Sequence, residues 1–94
     1  MQEERSKVKI HEVQEGSVVV EIFEKDMQGE RIYYDIKLCR EFRDWNSEEV
    51  KRSPMLQQRD MDDALRAILM AKGYIGDKIR HNRRMEREES NYAG

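Results

Sequence analysis

Apolar and polar residues alternate with period two over three stretches before residue 40, and the period then lengthens toward that of a helix. The alternating stretches are Lys7-Val-Lys-Ile-His-Glu-Val13, Ser17-Val-Val-Val-Glu-Ile-Phe-Glu24 and Arg31-Ile-Tyr-Tyr-Asp-Ile-Lys-Leu38. Strict alternation predicts half-buried strands. Turn residues separate them, at Glu15-Gly16 and at Asp26-Met-Gln-Gly-Glu30. The second and third stretches therefore predict a β-hairpin whose tip carries Gly29, suited to the positive φ of such loops.

The two faces of this hairpin differ chemically. Val18, Val20, Ile22, Ile32, Tyr34, Ile36 and Leu38 share one side, which is expected to be buried. Val19, Glu21, Phe23, Lys25, Arg31, Tyr33, Asp35 and Lys37 share the other, a mixed aromatic and charged surface. On the first strand Val8 and Ile10 form the natural core pair, leaving Lys7, Lys9 and His11 together on the opposite side.

Beyond Arg40 the pattern weakens. Residues 41–49 read as a polar connection holding Phe42 and Trp45. Val50 to Gln58 predicts a short fourth strand, with Pro54 confining it to an edge or to its own beginning. A helix is expected from about Asp60, which can cap it, with Asp62 and Asp63 in the first turn where the macrodipole favours negative charge. Met61, Ala64, Leu65, Ile68, Leu69, Ala71 and Ile75 give its apolar stripe. Gly73 and Gly76 leave two courses open: the helix stops and restarts with Asp77 as a cap, or it runs through. Residues 77–94 form a charge-dense extension, exposed helix or disordered.

The expectation is an α+β fold: an antiparallel β-meander of three to four strands packed against one long C-terminal helix. Residues 1–5 form a frayed N-terminus, 6–76 one domain and 77–94 the charged C-terminal extension. Ninety-four residues suit one core, but 37% apolar and 40% charged residues leave that core lean. The helix stripe is wide, and its residual side with Met70 and Tyr74 favours a homodimer that would cover it.

A net charge of −2 gives no global attraction to nucleic acid or to an anionic membrane, so any such contact needs a local patch. Cys39, the single cysteine, forms no internal disulfide and points to a reducing compartment. No apolar run reaches the roughly 20 residues of a membrane span, and the N-terminus has no signal-peptide pattern. A soluble cytoplasmic protein is expected.

Catalytic signals are weak. His11, Cys39 and His81 lack the paired spacing of a metal site. Cys39 and His11 fall on one predicted face, yet no orienting group or nucleophile elbow accompanies them. Paired carboxylates such as Asp62-Asp63 are better explained by capping. No cofactor, no metal and no catalytic residue is expected, and the chain reads as a non-enzyme. The C-terminal cations Lys78, Arg80, His81, Arg83, Arg84 and Arg87 are interleaved with Glu86, Glu88 and Glu89, so pairs such as Arg84 with Glu88 suggest a salt-bridged exposed helix.

The open sheet face is the serious candidate. Phe23 and Tyr33 could stack on splayed bases, while Lys9, Lys25, Arg31 and Lys37 could contact phosphate. Glu21 and Asp35 on the same face oppose this. A solvated face of cross-strand ion pairs and a subunit contact are the competing readings.

A meander of three or four strands followed by a C-terminal helix resembles the Whirly and positive-cofactor transcriptional coactivator group, which bind single strands as dimers. The run Arg31-Ile-Tyr-Tyr-Asp-Ile-Lys-Leu-Cys-Arg-Glu-Phe-Arg-Asp44, then Trp45, Asp60-Met61, Leu65 and Tyr74-Ile75, is similar to a family of small uncharacterised bacterial β-meander-plus-helix proteins. The first resemblance implies a noncatalytic module binding single-stranded DNA or RNA, in transcription or DNA maintenance. The alternative is a protein-interaction or structural module.

Overall fold

The computed structural model describes residues 7–26 and 32–93, with side chains described as far as Arg83. The N-terminal segment, the hairpin tip with Gly29 and Arg31, and the Arg84–Glu88 pair expected from sequence lie outside the described residues. Four strands form one antiparallel sheet in the order β1 (Lys7–Glu15), β2 (Val18–Asp26), β3 (Ile32–Arg43) and β4 (Val50–Ser53). A 3₁₀ turn, Gln58–Asp60, leads into the helix α1 (Met61–Ala93). The fold is the expected α+β arrangement of a four-stranded antiparallel meander and one C-terminal helix.

β4 is shorter than its sequence signal. It ends at Ser53, one residue before Pro54, because a residue without an N–H cannot extend the ladder. α1 does not stop at Gly73 or Gly76. Each glycine costs a helix interior about 1 kcal/mol, which the packing of Ala71, Tyr74 and Ile75 on the sheet offsets.

The core lies between α1 and the first two strands: Val13, Val18, Val20 and Ile22 meet Ala64, Ala67 and Ala71. Three alanines along one helix line let the backbone of α1 sit close to the valine-rich surface. Ile10, Leu38, Leu56, Ile68, Tyr74 and Ile75 close its margins. The two sides of the helix are fixed by what they touch. On one, the Tyr74 ring stacks on His11 of β1 and Arg66 reaches Glu15. On the other, Asn82 Nδ2 donates to the Tyr34 hydroxyl of β3.

This placement corrects the expected burial. The helix covers β1 and β2 but leaves much of β3 bare, so Ile32 and Ile36 are 42% and 47% exposed on the side expected to be buried. Met61, Leu65 and Leu69 of the predicted stripe are also exposed. Val19, assigned to the open side, is fully buried, as is Cys39. The cause is a polar cover described below.

β1 holds a second correction. Lys9 lies opposite Phe23 and His11 opposite Ile22, a register shift that places a β-bulge at Ile10. Ile10 packs on the core, and His11 turns toward the helix rather than joining Lys7 and Lys9. His11 and Cys39 therefore sit on opposite faces of the sheet.

Candidate nucleic-acid interface

The sheet face away from α1 is built by strand parity and register. β1 contributes Lys7, Lys9, Glu12 and Gln14; β2 contributes Val19, Glu21, Phe23 and Lys25 opposite them. β3 adds Tyr33, Asp35, Lys37, Cys39 and Glu41, and β4 adds Arg52 opposite Glu41. The face divides into two chemically distinct halves.

The half toward β4 is a closed ion network. Arg52 pairs with Glu12 and Glu21 at 2.5 Å each and with Glu41 at 3.1 Å. Gln14 Nε2 donates to Glu41 Oε1 at 3.0 Å. Glu12 and Glu21 stand directly opposite in the ladder, where like charges repel, and the guanidinium between them removes that repulsion. Three acidic partners raise the Arg52 pKa further above its already high value. Hydrogen bonds first from Lys9 and then from Arg52 hold the Glu12 carboxyl below its ordinary range. This network shields Val19 and Cys39, whose thiol donates to the Val19 carbonyl at 3.7 Å. Burial pushes that thiol pKa up, the opposite of what a nucleophile requires.

The other half carries the candidate residues. Tyr33 stands opposite Lys25 and is 45% exposed. Phe23 stands opposite Asp35 and is half-buried, with Lys7 Nζ 5.3 Å above its ring centroid. Lys7 also reaches Asp35 at 3.5 Å. Lys9 is bound to Glu12 at 2.7 Å, so its charge is partly spent. Among the described residues no carboxylate pairs with Lys25 or Lys37.

Five of the six expected contact residues, Lys9, Phe23, Lys25, Tyr33 and Lys37, thus share one face, and Arg31 lies outside the described residues. Lys7 belongs with them, although the sequence reading gave it no role. Arg52 was missed because only strand register places it opposite Glu41.

A second feature lies at the β3–β4 turn. Asp44 Oδ1 accepts from Asn46 N, its Oδ2 accepts from Ser47 Oγ, and it pairs with Lys51 at 2.8 Å. The turn so fixed presents Trp45 at 88% exposure. A shallow depression beside it is lined by Arg40, Phe42, Arg43, Trp45, Met55 and Leu56.

Among the described residues no three His, Cys, Asp or Glu side chains gather as a metal site, and no helix is long and apolar enough to cross a membrane. No protein-family model, curated protein or solved structure matches the chain.

Proposed function

We propose that the protein is a noncatalytic binding module for single-stranded nucleic acid, acting in transcription or DNA maintenance in the cytoplasm. One observation carries this reading. The four acids of this face each have a cation partner, Asp35 in Lys7 and Glu12, Glu21 and Glu41 in Arg52, while Lys25 stands opposite the exposed Tyr33 and Lys37 lies beyond Asp35 on the same strand. Over the described face Lys7, Lys9, Lys25, Lys37 and Arg52 outnumber Glu12, Glu21, Asp35 and Glu41 by one, and Lys25 and Lys37 carry no carboxylate partner among the described residues. In this reading Tyr33 and Phe23 offer stacking surfaces, and Lys25 and Lys37, with Arg31 and the partly engaged Lys9, offer phosphate contacts. Single strands are favoured over duplex because stacking requires unpaired bases. The buried, pKa-raised Cys39 and the distant His11 support a noncatalytic role.

The test is fluorescence anisotropy with a labelled single-stranded oligonucleotide at about 50 and 200 mM salt, with duplex as control. Binding that prefers the single strand and weakens steeply with salt is expected. Absence of binding at the lower salt would remove this function.

A protein-interaction role is the second reading, favoured by Trp45. An exposed tryptophan on a pinned turn, beside Arg43 and the apolar Phe42 and Met55, has the composition of an interface anchor. Protein binding through Trp45 would be nearly indifferent to salt, which separates the two readings.

A further inference from the structure

β1 is an outer strand of the sheet, and among the described residues nothing pairs with its far edge. The direction of its main-chain groups follows from one hydrogen bond. Glu41 N–H donates to the Ser17 carbonyl at 2.7 Å, so Ser17 and every second residue after it along β2 face β3. Val18, Val20 and Ile22 therefore face β1, where they meet Glu15, Val13 and His11. Glu12 and Gln14, between these, turn their N–H and C=O groups outward. The bulge at Ile10 confines the regular edge to residues 11–15.

The flank of α1 above this edge carries a matching pattern. Asp63, Arg66, Met70, Gly73, Asp77 and Arg80 recur there every three or four residues. Arg66 at Glu15 and the Tyr74 ring on His11 fix that flank on the β1 side. Its charges run negative, positive, negative, positive. Between them Met70 is 51% exposed, and a Cβ on Gly73 would meet no heavy atom within 4 Å.

We infer that the protein dimerises by pairing residues 11–15 of β1 with the same residues of a second copy, antiparallel, about a two-fold axis at Val13. That axis sets Glu12 opposite Gln14 of the second copy, twice, in phase for about four main-chain hydrogen bonds. His11 then stands opposite Glu15 of the second copy, whereas an axis at Glu12 would set that carboxylate against its own copy. α1 rides over β1 and β2, so the two helices lie two strand spacings apart, about 9.5 Å, the separation at which helices pack. Val13 is level with Met70, midway between the Arg66 and Tyr74 contacts, so the axis passes between the helices there. Antiparallel helices bring Arg66 to Asp77 and Asp63 to Arg80 of the second copy, in both halves, and Met70 into the open space beside Gly73. Parallel helices would set like charge on like, so the flank selects both the orientation and a second copy as the occupant. The inference is independent of the nucleic-acid reading, because its readout is mass.

Sedimentation equilibrium of the full chain tests it, with the wild type expected at twice 11.3 kDa. Gly73→Gln should weaken the dimer about tenfold, yet leave the monomer folded with a higher thermal midpoint, since a better helix former enters open space. Asp77→Lys and Arg66→Glu should each weaken the dimer about tenfold, since each sets like charges opposite in two places. The double variant Arg66→Glu/Asp77→Lys should return to near wild-type affinity. Amide exchange at Glu12 and Gln14 should be slow in the dimer and fast in Gly73→Gln. A wild type sedimenting as monomer at all concentrations overturns the inference, as does a dimer that leaves these two amides unprotected. A dimer insensitive to Gly73→Gln, or a double variant no tighter than the singles, also overturns it.

Discussion

Arg40 Nε donates to Asp60 Oδ2 at 2.8 Å, joining β3 to the last residue before α1, with both side chains largely shielded from water. The same Asp60 oxygen accepts from Gln57 N–H at 2.8 Å. One carboxylate therefore fixes both the approach to the helix and its anchorage on the sheet. Arg40→Met leaves that carboxylate shielded without its cation and should lower unfolding free energy by about 3 kcal/mol. Urea denaturation at pH 7 measures it.

The same carboxylate predicts an acid dependence. Gln57 N–H foremost, and Arg40 after it, hold Asp60 below the ordinary carboxylate range against the opposing effect of burial. A folded-state value below the unfolded one, about 3.9, gives stability that is fully present above that value. It is lost as pH falls from there through the folded value. Urea midpoints should decline on acidification below about pH 4, and less steeply in Arg40→Met, where part of the depression is gone.

The Arg52 network predicts a change in thiol accessibility. Arg52→Ala leaves Glu21 and Glu41 without their cation and Glu12 with Lys9 alone, and should cost about 1 kcal/mol. Wild-type Cys39, buried and with a raised pKa, should alkylate slowly with iodoacetamide. The variant should label about tenfold faster through local opening. Equal rates would show that the network does not shield the thiol.

Gly16 adopts φ +58°, and a Cβ there would collide with the Asp63 carboxylate at the start of α1. Gly16→Ala should cost about 2 kcal/mol from left-handed strain and the clash together. Adding Asp63→Ala should recover only the clash, so thermal unfolding of the pair separates the two contributions.

On the open face, stacking is worth roughly 1–3 kcal/mol per base. Tyr33→Ala should therefore weaken oligonucleotide binding roughly 5- to 150-fold. Lys25→Gln should reduce the salt slope by about 0.7, without changing the preference for single strands. Unaltered affinity in both variants would show that this surface is not the one used.

Local pattern was sufficient for much of the fold. Alternation marked β1, β2 and β3, and the spacing of Ala64, Ala71 and Ile75 marked α1, whereas the fourth strand read as far as Gln58 ends at Ser53. Those first four elements are properties of a short window: side-chain period and turn residues decide them without distant contacts. The shared face of Phe23, Lys25, Tyr33 and Lys37 was legible because the matching apolar sets of the two strands select the register that buries them together.

Tertiary structure decided the rest. The bulge at Ile10 reverses the parity of β1 from His11 onward, and no local residue pattern announces it. Whether Ile36 or Val19 is buried depends on where α1 lies and on which charged side chains cross the opposite face. The pairing of Arg52 with Glu12 joins residues forty positions apart, brought together only when four strands align. Within an unbulged strand sequence fixes which residues share a side; the long-range packing of helix and ion network fixes what, if anything, covers them.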